Sequence, residues 1–147
     1  MELTDIIALL AIVITLILNF IQNVRLTDQM KLQMFSEYTK RYQDIMINLP
    51  LKYFQKDFEY SKSDDKDKIQ KYLRMYFDLS SEEFYLYKSK KIDSMVWKEW
   101  ESGILENLRN EYVRNELVQI GIRKEFYSEF ITYLKNNAIL TDYDLKK

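Results

Sequence analysis

A long apolar run near the N-terminus limits the structures that this chain can form. Residues 6–21, IIALLAIVITLILNFI, are interrupted only by Thr15 and Asn19. As an α-helix these 16 residues span about 24 Å, and extending the helix over 3–24 reaches the roughly 30 Å of a bilayer hydrocarbon core. A run of this length and composition predicts a transmembrane anchor, which we assign to residues 1–24.

A cleaved signal peptide is the alternative interpretation of this segment. Signal peptides begin with a basic region and end at a cleavage site of small residues. Here the first residues, MELTD, are acidic, and no such site follows the apolar run. The sequence therefore favours an uncleaved anchor.

The charges that flank the apolar run predict its orientation. Lysine and arginine concentrate on the cytoplasmic side of membrane spans. The acidic residues Glu2 and Asp5 precede the run. The basic residues that follow it most closely are Arg25, Lys31, Lys40 and Arg41. We therefore expect a single-pass protein with its N-terminus outside and residues 25–147 in the cytoplasm.

Small and polar side chains recur along one stripe of the predicted span. At spacings of three and four, the stripe comprises Thr4, Ala8, Ala11, Thr15, Leu18 and Gln22. Small residues let membrane helices approach closely, and polar ones hydrogen-bond across the interface. The pattern predicts self-association through Ala8, Ala11 and Thr15. The alternative is that the stripe is fortuitous and the span is only a tether.

Glycine and proline are the strongest signals for turns, and this chain of 147 residues has only two glycines and one proline. That scarcity leaves little room for β-hairpins. The many Glu, Lys, Leu and Met residues favour helix instead. We therefore predict an all-α protein in which residues 25–147 form one cytosolic bundle of about five helices.

The absence of histidine and cysteine excludes several kinds of chemistry. A Ser-His-Asp arrangement, a thiol nucleophile and a zinc–thiolate site are all impossible. Asp64, Asp65 and Asp67 resemble calcium ligands, but the glycine and the final glutamate of an EF-hand loop are missing. The formal charge of −1 implies no large basic surface for duplex nucleic acid. We expect no enzyme, no cofactor and no metal site.

The rest of the chain is typical of a succession of helices. The first, over 25–49, follows the span without a break and ends at Pro50; it either continues the span as a stalk or lies along the headgroups. Its apolar stripe comprises Met30, Met34, Tyr38, Tyr42, Ile45 and Leu49. Further helices are predicted, in chain order, over 51–60, 67–87, 93–110, 110–120 (ending near Gly121) and 124–137.

Two adjacent carboxylates, Glu82 and Glu83, stand in the most aromatic part of the chain. The helix over 67–87 is apolar around most of its circumference, which indicates packing on more than one side. Glu83 falls beside the main apolar stripe, where an unpaired charge is very costly. We therefore expect Glu83 to be a core residue with a polar partner, the alternative being an acid in a ligand pocket. The candidate partners are the indoles of Trp97 and Trp100, tyrosine hydroxyls, Arg109 and Arg114.

Trp97 and Trp100 stand three residues apart on one face of the next predicted helix. Aromatic residues at helical spacing usually belong to the core, so these two and Phe84 are assigned to the core rather than to a ligand cage. Gly103 follows one turn later, where a glycine permits close helix approach. Asp93 is the expected N-cap of this helix.

A motif of the form EFYLY…ID…VW..W..G lies within residues 72–104. Its residues are Tyr72, Leu73, Glu83, Phe84, Tyr85, Leu86, Tyr87, Ile92, Asp93, Trp97, Trp100 and Gly103. The motif resembles that of an uncharacterised bacterial family of short single-span membrane proteins, a domain of unknown function. The resemblance implies a location in the bacterial inner membrane and no particular activity. Glycine often occupies the turn of that motif, where this chain has Ser-Lys-Lys at 89–91.

A looser likeness, in architecture only, relates the chain to small membrane effectors of bacterial antiviral systems. Those proteins couple a membrane segment to a cytosolic helical domain that senses a nucleotide signal or another protein. We therefore expect a membrane-anchored interaction domain that acts by assembling with itself or with a protein partner. A narrower expectation is that the protein is a membrane effector of bacterial antiviral defence.

A ligand sensor is the alternative function, because the planar guanidinium of arginine suits phosphate. The candidate residues for an anionic nucleotide-type ligand are Arg74, Arg109, Arg114, Arg123 and Lys124. Basic and acidic residues are nearly balanced after residue 24, so such a pocket would be local or formed between subunits. A catalytic pair of Glu82 and Glu83 ranks third. Adjacent residues on a helix point about 100° apart and do not converge on one substrate.

Overall fold

The computed structural model describes residues 2–50, 53, 58, 60, 63–123, 127–137 and 139–140, without the side chains of residues 122 and 123. These residues form five α-helices and no strand, so the predicted all-α fold is confirmed. The helices are α1 (Leu3–Asn48), α2 (Lys66–Lys88), α3 (Ser94–Leu108), α4 (Glu111–Arg123) and α5 (Ser128–Asn136). Most of the helix predicted over 51–60 lies outside the described residues.

The chain divides into two compact units, residues 1–37 and residues 38–147. The first unit is helical, and every side chain from residue 2 to residue 33 is exposed. By length and composition, α1 is able to cross a membrane. The anchor assigned to 1–24 is defined by composition and not by contacts, so its boundary stays a prediction.

The last turns of α1 belong to the second unit and pack against α2. Ile45 and Leu49, just before Pro50, are each 4% exposed. The ring of Tyr42 lies 6.2 Å from the ring of Tyr76 in α2. The apolar stripe predicted for this part of the chain therefore covers the bundle over its last turns.

The central helix of the second unit is α2, which contacts α3, α4 and α5. Its buried residues are Ile69, Leu73, Tyr76, Phe77, Leu79, Ser80, Glu83 and Phe84. They occupy more than one side of the helix, as the apolar pattern predicts. The other helices are needed to cover these sides, so α2 determines how the bundle is arranged.

The turn after α2 forms a Schellman motif although it contains no glycine. The Lys91 N–H donates to the Leu86 carbonyl at 2.8 Å, and the Lys90 N–H donates to the Tyr87 carbonyl at 2.9 Å. Lys90 adopts a left-handed conformation with φ of 56°. Glycine adopts this conformation at lower cost, which gives a physical reason for glycine at this turn in the motif described above.

Polar side chains cap the N-termini of the two helices that follow. Asp93 Oδ1 accepts a hydrogen bond from the Met95 N–H at 2.7 Å, so the predicted cap of α3 is present. Asn110 Oδ1 accepts one from the Tyr112 N–H at 2.9 Å, at the start of α4. These caps satisfy N–H groups that have no partner inside their helices.

The prediction that Gly103 permits close helix approach is wrong. A Cβ at Gly103 would meet no atom within 4 Å, so this glycine is not required for close helix approach. Helix α4 includes Gly121 and is described to Arg123, so the predicted end near Gly121 agrees to within about two residues. Glycine costs a helix only about 1 kcal/mol relative to alanine. The neighbouring Val118 and Ile120 are buried, and their packing holds this turn in helix.

Aromatic rings join α2, α3 and α5. Phe84 lies 4.8 Å from Tyr133 and 5.7 Å from Phe130, measured between ring centroids. Tyr87 stacks on Trp97 at 5.0 Å with an angle of 9° between the rings. Trp97 is only 2% exposed. Tilted and stacked pairs of this kind stabilise a core beyond their buried area.

Trp100 differs from Trp97 although the two stand three residues apart. Its side chain is only half-buried, and its ring stacks on Tyr38 of α1 at 5.4 Å. This tryptophan therefore joins α3 to α1 at the margin of the core.

We predict that Trp97→Ala lowers the free energy of unfolding by about 3–5 kcal/mol, because it leaves a large cavity in the core. Trp100→Ala removes a half-buried ring and is expected to cost less. The measurement is chemical denaturation of the full-length protein in micelles, followed by circular dichroism. Tyr85→Ala is the control, since Tyr85 is 63% exposed. Equal losses for Trp97→Ala and Tyr85→Ala would contradict the assignment of Trp97 to the core.

Candidate functional site

The two adjacent carboxylates of α2 lie in different environments. Glu82 is half-exposed and forms a bidentate pair with Arg41 of α1, with N–O distances of 2.6 and 3.2 Å. The Tyr38 hydroxyl also donates to Glu82, at 3.2 Å. Two side chains of α1 therefore bond to one half-exposed carboxylate of α2, and these bonds attach the last turns of α1 to α2.

Electrostatics reinforce this contact. The hydrogen bond from Arg41 lowers the pKa of Glu82, and the same bond raises the pKa of Arg41. Burial, followed by the charge of Glu82, raises the pKa of Tyr38. At neutral pH the carboxylate and the guanidinium are both charged and the phenol is neutral. Because the pair is partly exposed, we expect it to contribute only about 1 kcal/mol or less to stability.

Glu83, the next residue, is buried with 5% of its surface exposed. Among the described residues its carboxyl group has no hydrogen-bonding or ion-pairing partner. The partners proposed from the sequence, including Trp97, Trp100, Arg109 and Arg114, do not bond to it. Burial instead raises the pKa of Glu83 to about 8. The acid avoids the cost of a buried charge by staying protonated at neutral pH, so it needs no cationic partner.

A groove of about 480 Å³ opens beside the Arg41–Glu82 pair. Its lining comprises Arg41, Asp44, Ile45, Met75, Asp78, Ser81, Glu82 and Tyr127. Tyr127 donates a hydrogen bond to Asp78. Three carboxylates face one guanidinium that is already paired, so the groove suits a cationic group better than an anion. Within the described residues no cluster of acidic side chains meets the requirements of a metal site.

The residues predicted to bind an anionic ligand do not all lie together. Arg74 lies in α2, and Arg109 and Arg114 meet at the end of α3. The side chain of Arg123 and all of Lys124 lie outside the described residues. The structure therefore brings together two of the five candidates, and ligand binding by this set stays a prediction.

Arg109 and Arg114 each have protein partners where they meet. Arg109 pairs with Glu106 at 2.7 Å, and both side chains are exposed. Arg114 Nη1 donates to the carbonyls of Leu108 at 2.8 Å and of Arg109 at 2.9 Å. These carbonyls stand at the C-terminus of α3, where a cation satisfies them and complements the helix dipole. Arg114 thus caps α3.

The residues predicted to mediate oligomerisation are exposed on α1. Ala8, Ala11 and Thr15 present no buried surface within the chain. The Thr15 hydroxyl donates to the Ala11 carbonyl at 2.8 Å, so its proton is engaged within the helix. In a helix–helix contact Thr15 would therefore contribute an acceptor and a small surface.

The sequence pattern assigned Arg41 only to the basic flank of the span and missed its contact with Glu82. A local signal for it does exist. Tyr38, Arg41 and Ile45 follow spacings of three and four and share one helix face. Arginine buries its stem along apolar surface and keeps its charged head at the margin, so an arginine beside this stripe is placed to meet an acid on the surface that the stripe covers.

The chain matches no protein-family model, and comparisons with curated proteins and with solved structures find no match either. The motif resemblance noted in the sequence therefore stays a prediction, and functional inference rests on the residues themselves.

We predict that Arg114→Ala lowers the free energy of unfolding by about 1–3 kcal/mol, because it leaves two helix-terminal carbonyls without their donor. Arg109→Ala should change stability by no more than about 0.5 kcal/mol, since its pair with Glu106 is fully on the surface. Chemical denaturation of the two variants provides the comparison. If Arg114→Ala left the free energy of unfolding nearly unchanged, that result would contradict the capping role and favour a role in ligand binding.

Proposed function

We propose that this protein is a single-pass membrane protein whose helical domain lies in the cytoplasm and acts by self-assembly or by binding a protein partner. One observation carries the proposal. The aliphatic residues of the run over 6–21 are exposed around most of the circumference of α1, with exposed fractions from 40% at Ile6 to 62% at Leu16. A soluble protein rarely exposes such a surface, and lipid covers it without any further partner.

The flanking charges support the orientation. Arg25 and Lys31 follow the run directly, whereas Glu2 and Asp5 precede it. By the positive-inside rule, the domain that begins after the span lies in the cytoplasm. With the resemblance to a bacterial single-span family, the proposed location is the bacterial inner membrane.

The angular distribution of residues around α1 supports self-assembly. At about 100° per residue, six small or polar residues of the span fall within a sector of about 80°, with Asp5 and Asn23 about 40° beyond its edge, and the aliphatic residues lie outside it. The sector contains Thr4, Ala8, Ala11, Thr15, Asn19 and Gln22. The Asn19 carboxamide both donates and accepts hydrogen bonds, so it complements the same group in a second copy. Inside lipid, close packing and such hydrogen bonds are what drive helix association.

A narrower proposal is that the protein is a membrane effector of bacterial antiviral defence. It is supported by architecture alone, in which a membrane segment is joined to a small helical domain. The alternative, a tethered sensor of an anionic nucleotide-type ligand, has less support because Arg109 and Arg114 already bond to protein groups. We propose no catalytic role, since the chain lacks histidine and cysteine and separates Glu82 from Glu83 by burial.

We predict that Ala8→Leu combined with Ala11→Leu sharply reduces chemical cross-linking of the full-length protein in membranes. The larger side chains keep insertion favourable but prevent close approach of two helices at the small sector. Val13→Phe combined with Ile17→Phe is the matched control, because it adds similar apolar bulk on the opposite face. Unchanged cross-linking in the Ala8 and Ala11 variant would contradict assembly through this sector and make the span a tether.

A further inference from the structure

The contact between the last turns of α1 and the rest of the bundle depends on few polar groups. Tyr38 and Arg41 both bond to Glu82, and Tyr38 also stacks on Trp100. Among the described residues, Tyr42 and Ile45 also pack this part of α1 against the bundle. We call the set formed by Tyr38, Arg41 and Glu82 the latch.

A buried acid without a bonding partner stands directly beside the latch. Glu83 follows Glu82 on α2, is 5% exposed, and has no hydrogen-bond or salt-bridge partner among the described residues. The charge of Arg41, from α1, lowers its pKa, and the charge of Glu82, from α2, raises it. The Tyr76 hydroxyl, also on α2, is influenced by the charge of Glu83. Among the described residues, the electrostatic influences on Glu83 come from α1 and α2.

We propose that the protonation state of Glu83 controls the latch, so that loss of its proton to water releases residues 38–48 from α2. With Glu83 protonated, Arg41 stays on Glu82 and the last turns of α1 remain packed. With Glu83 ionised, two adjacent carboxylates share the guanidinium of Arg41, and the described part of the chain offers the buried carboxylate no other donor. Water has ready access to the latch, because the side chains of Arg41 and Glu82 are already about half-exposed.

The direction of the pH effect follows from linkage. Burial holds the pKa of Glu83 at about 8 in the closed arrangement, against 4.5 for an exposed glutamate. Between these two values the open arrangement binds one proton fewer than the closed one. The equilibrium constant for opening therefore rises by up to about tenfold per pH unit, and this rise levels off above about pH 8.

Hydrogen exchange of the full-length protein in lipid nanodiscs tests this proposal. Protection factors of the amides in residues 38–48, corrected for the intrinsic effect of pH, are expected to fall up to about tenfold per pH unit from pH 6 to 8. Amides of α4 and α5 are expected to keep their protection over the same range. In Glu83→Gln the protection of residues 38–48 should not depend on pH.

Two further variants keep the result interpretable. Glu83→Met also removes the ionisable group and serves if Glu83→Gln does not fold. Glu99→Gln, at an exposed site on α3, should retain the full pH dependence. Protection that does not change from pH 6 to 9 in the natural sequence would overturn the proposal. An equal pH dependence of protection in Glu83→Gln would also overturn it. A loss of protection in α4 and α5 over the same pH range would do so too. None of these outcomes depends on whether the protein assembles in the membrane.

Discussion

Helix α2 is apolar around most of its circumference, and several neighbours are needed to remove that surface from water. Helices α3, α4 and α5 and the last turns of α1 provide this cover. The left-handed turn at Lys90 and the cap at Asp93 then set how α3 returns along α2. The ring cluster at Phe84 and Trp97 completes the core on that side. The fold of the second unit thus follows from the composition of one helix.

The pair at Glu82 and Glu83 shows how one helix supports two different electrostatic states. A rotation of about 100° between adjacent residues puts one carboxylate at the surface and the other in the core. The first is ionised and holds Arg41, and the second stays protonated because burial disfavours its charge. Their proximity links the protonation of a core residue to the attachment of α1.

Local patterns predicted much of this structure. The spacing of apolar residues predicted α2 and the burial of Phe84 and Trp97, and the residue type predicted the cap at Asp93. Contacts between distant parts of the chain were not predictable in this way. Arg41 and Glu82 are 41 residues apart, and only the packing of α1 on α2 brings them together. The capping role of Arg114 likewise depends on how α4 turns back against the end of α3. The open space beside Gly103 was not predictable either, because it depends on how α3 packs against its neighbours.

The membrane topology is the claim on which the proposed function depends most, and single cysteines test it directly because the natural chain has none. Cysteine is introduced in turn at Asp5, Ile14 and Lys31, and labelled with a maleimide that does not cross membranes. We expect the first position to react from the outside, the third only from the cytoplasmic side, and Ile14→Cys from neither side. Labelling of Ile14→Cys as fast as that of Lys31→Cys, or labelling of Lys31→Cys from outside, would contradict a membrane-anchored cytoplasmic domain.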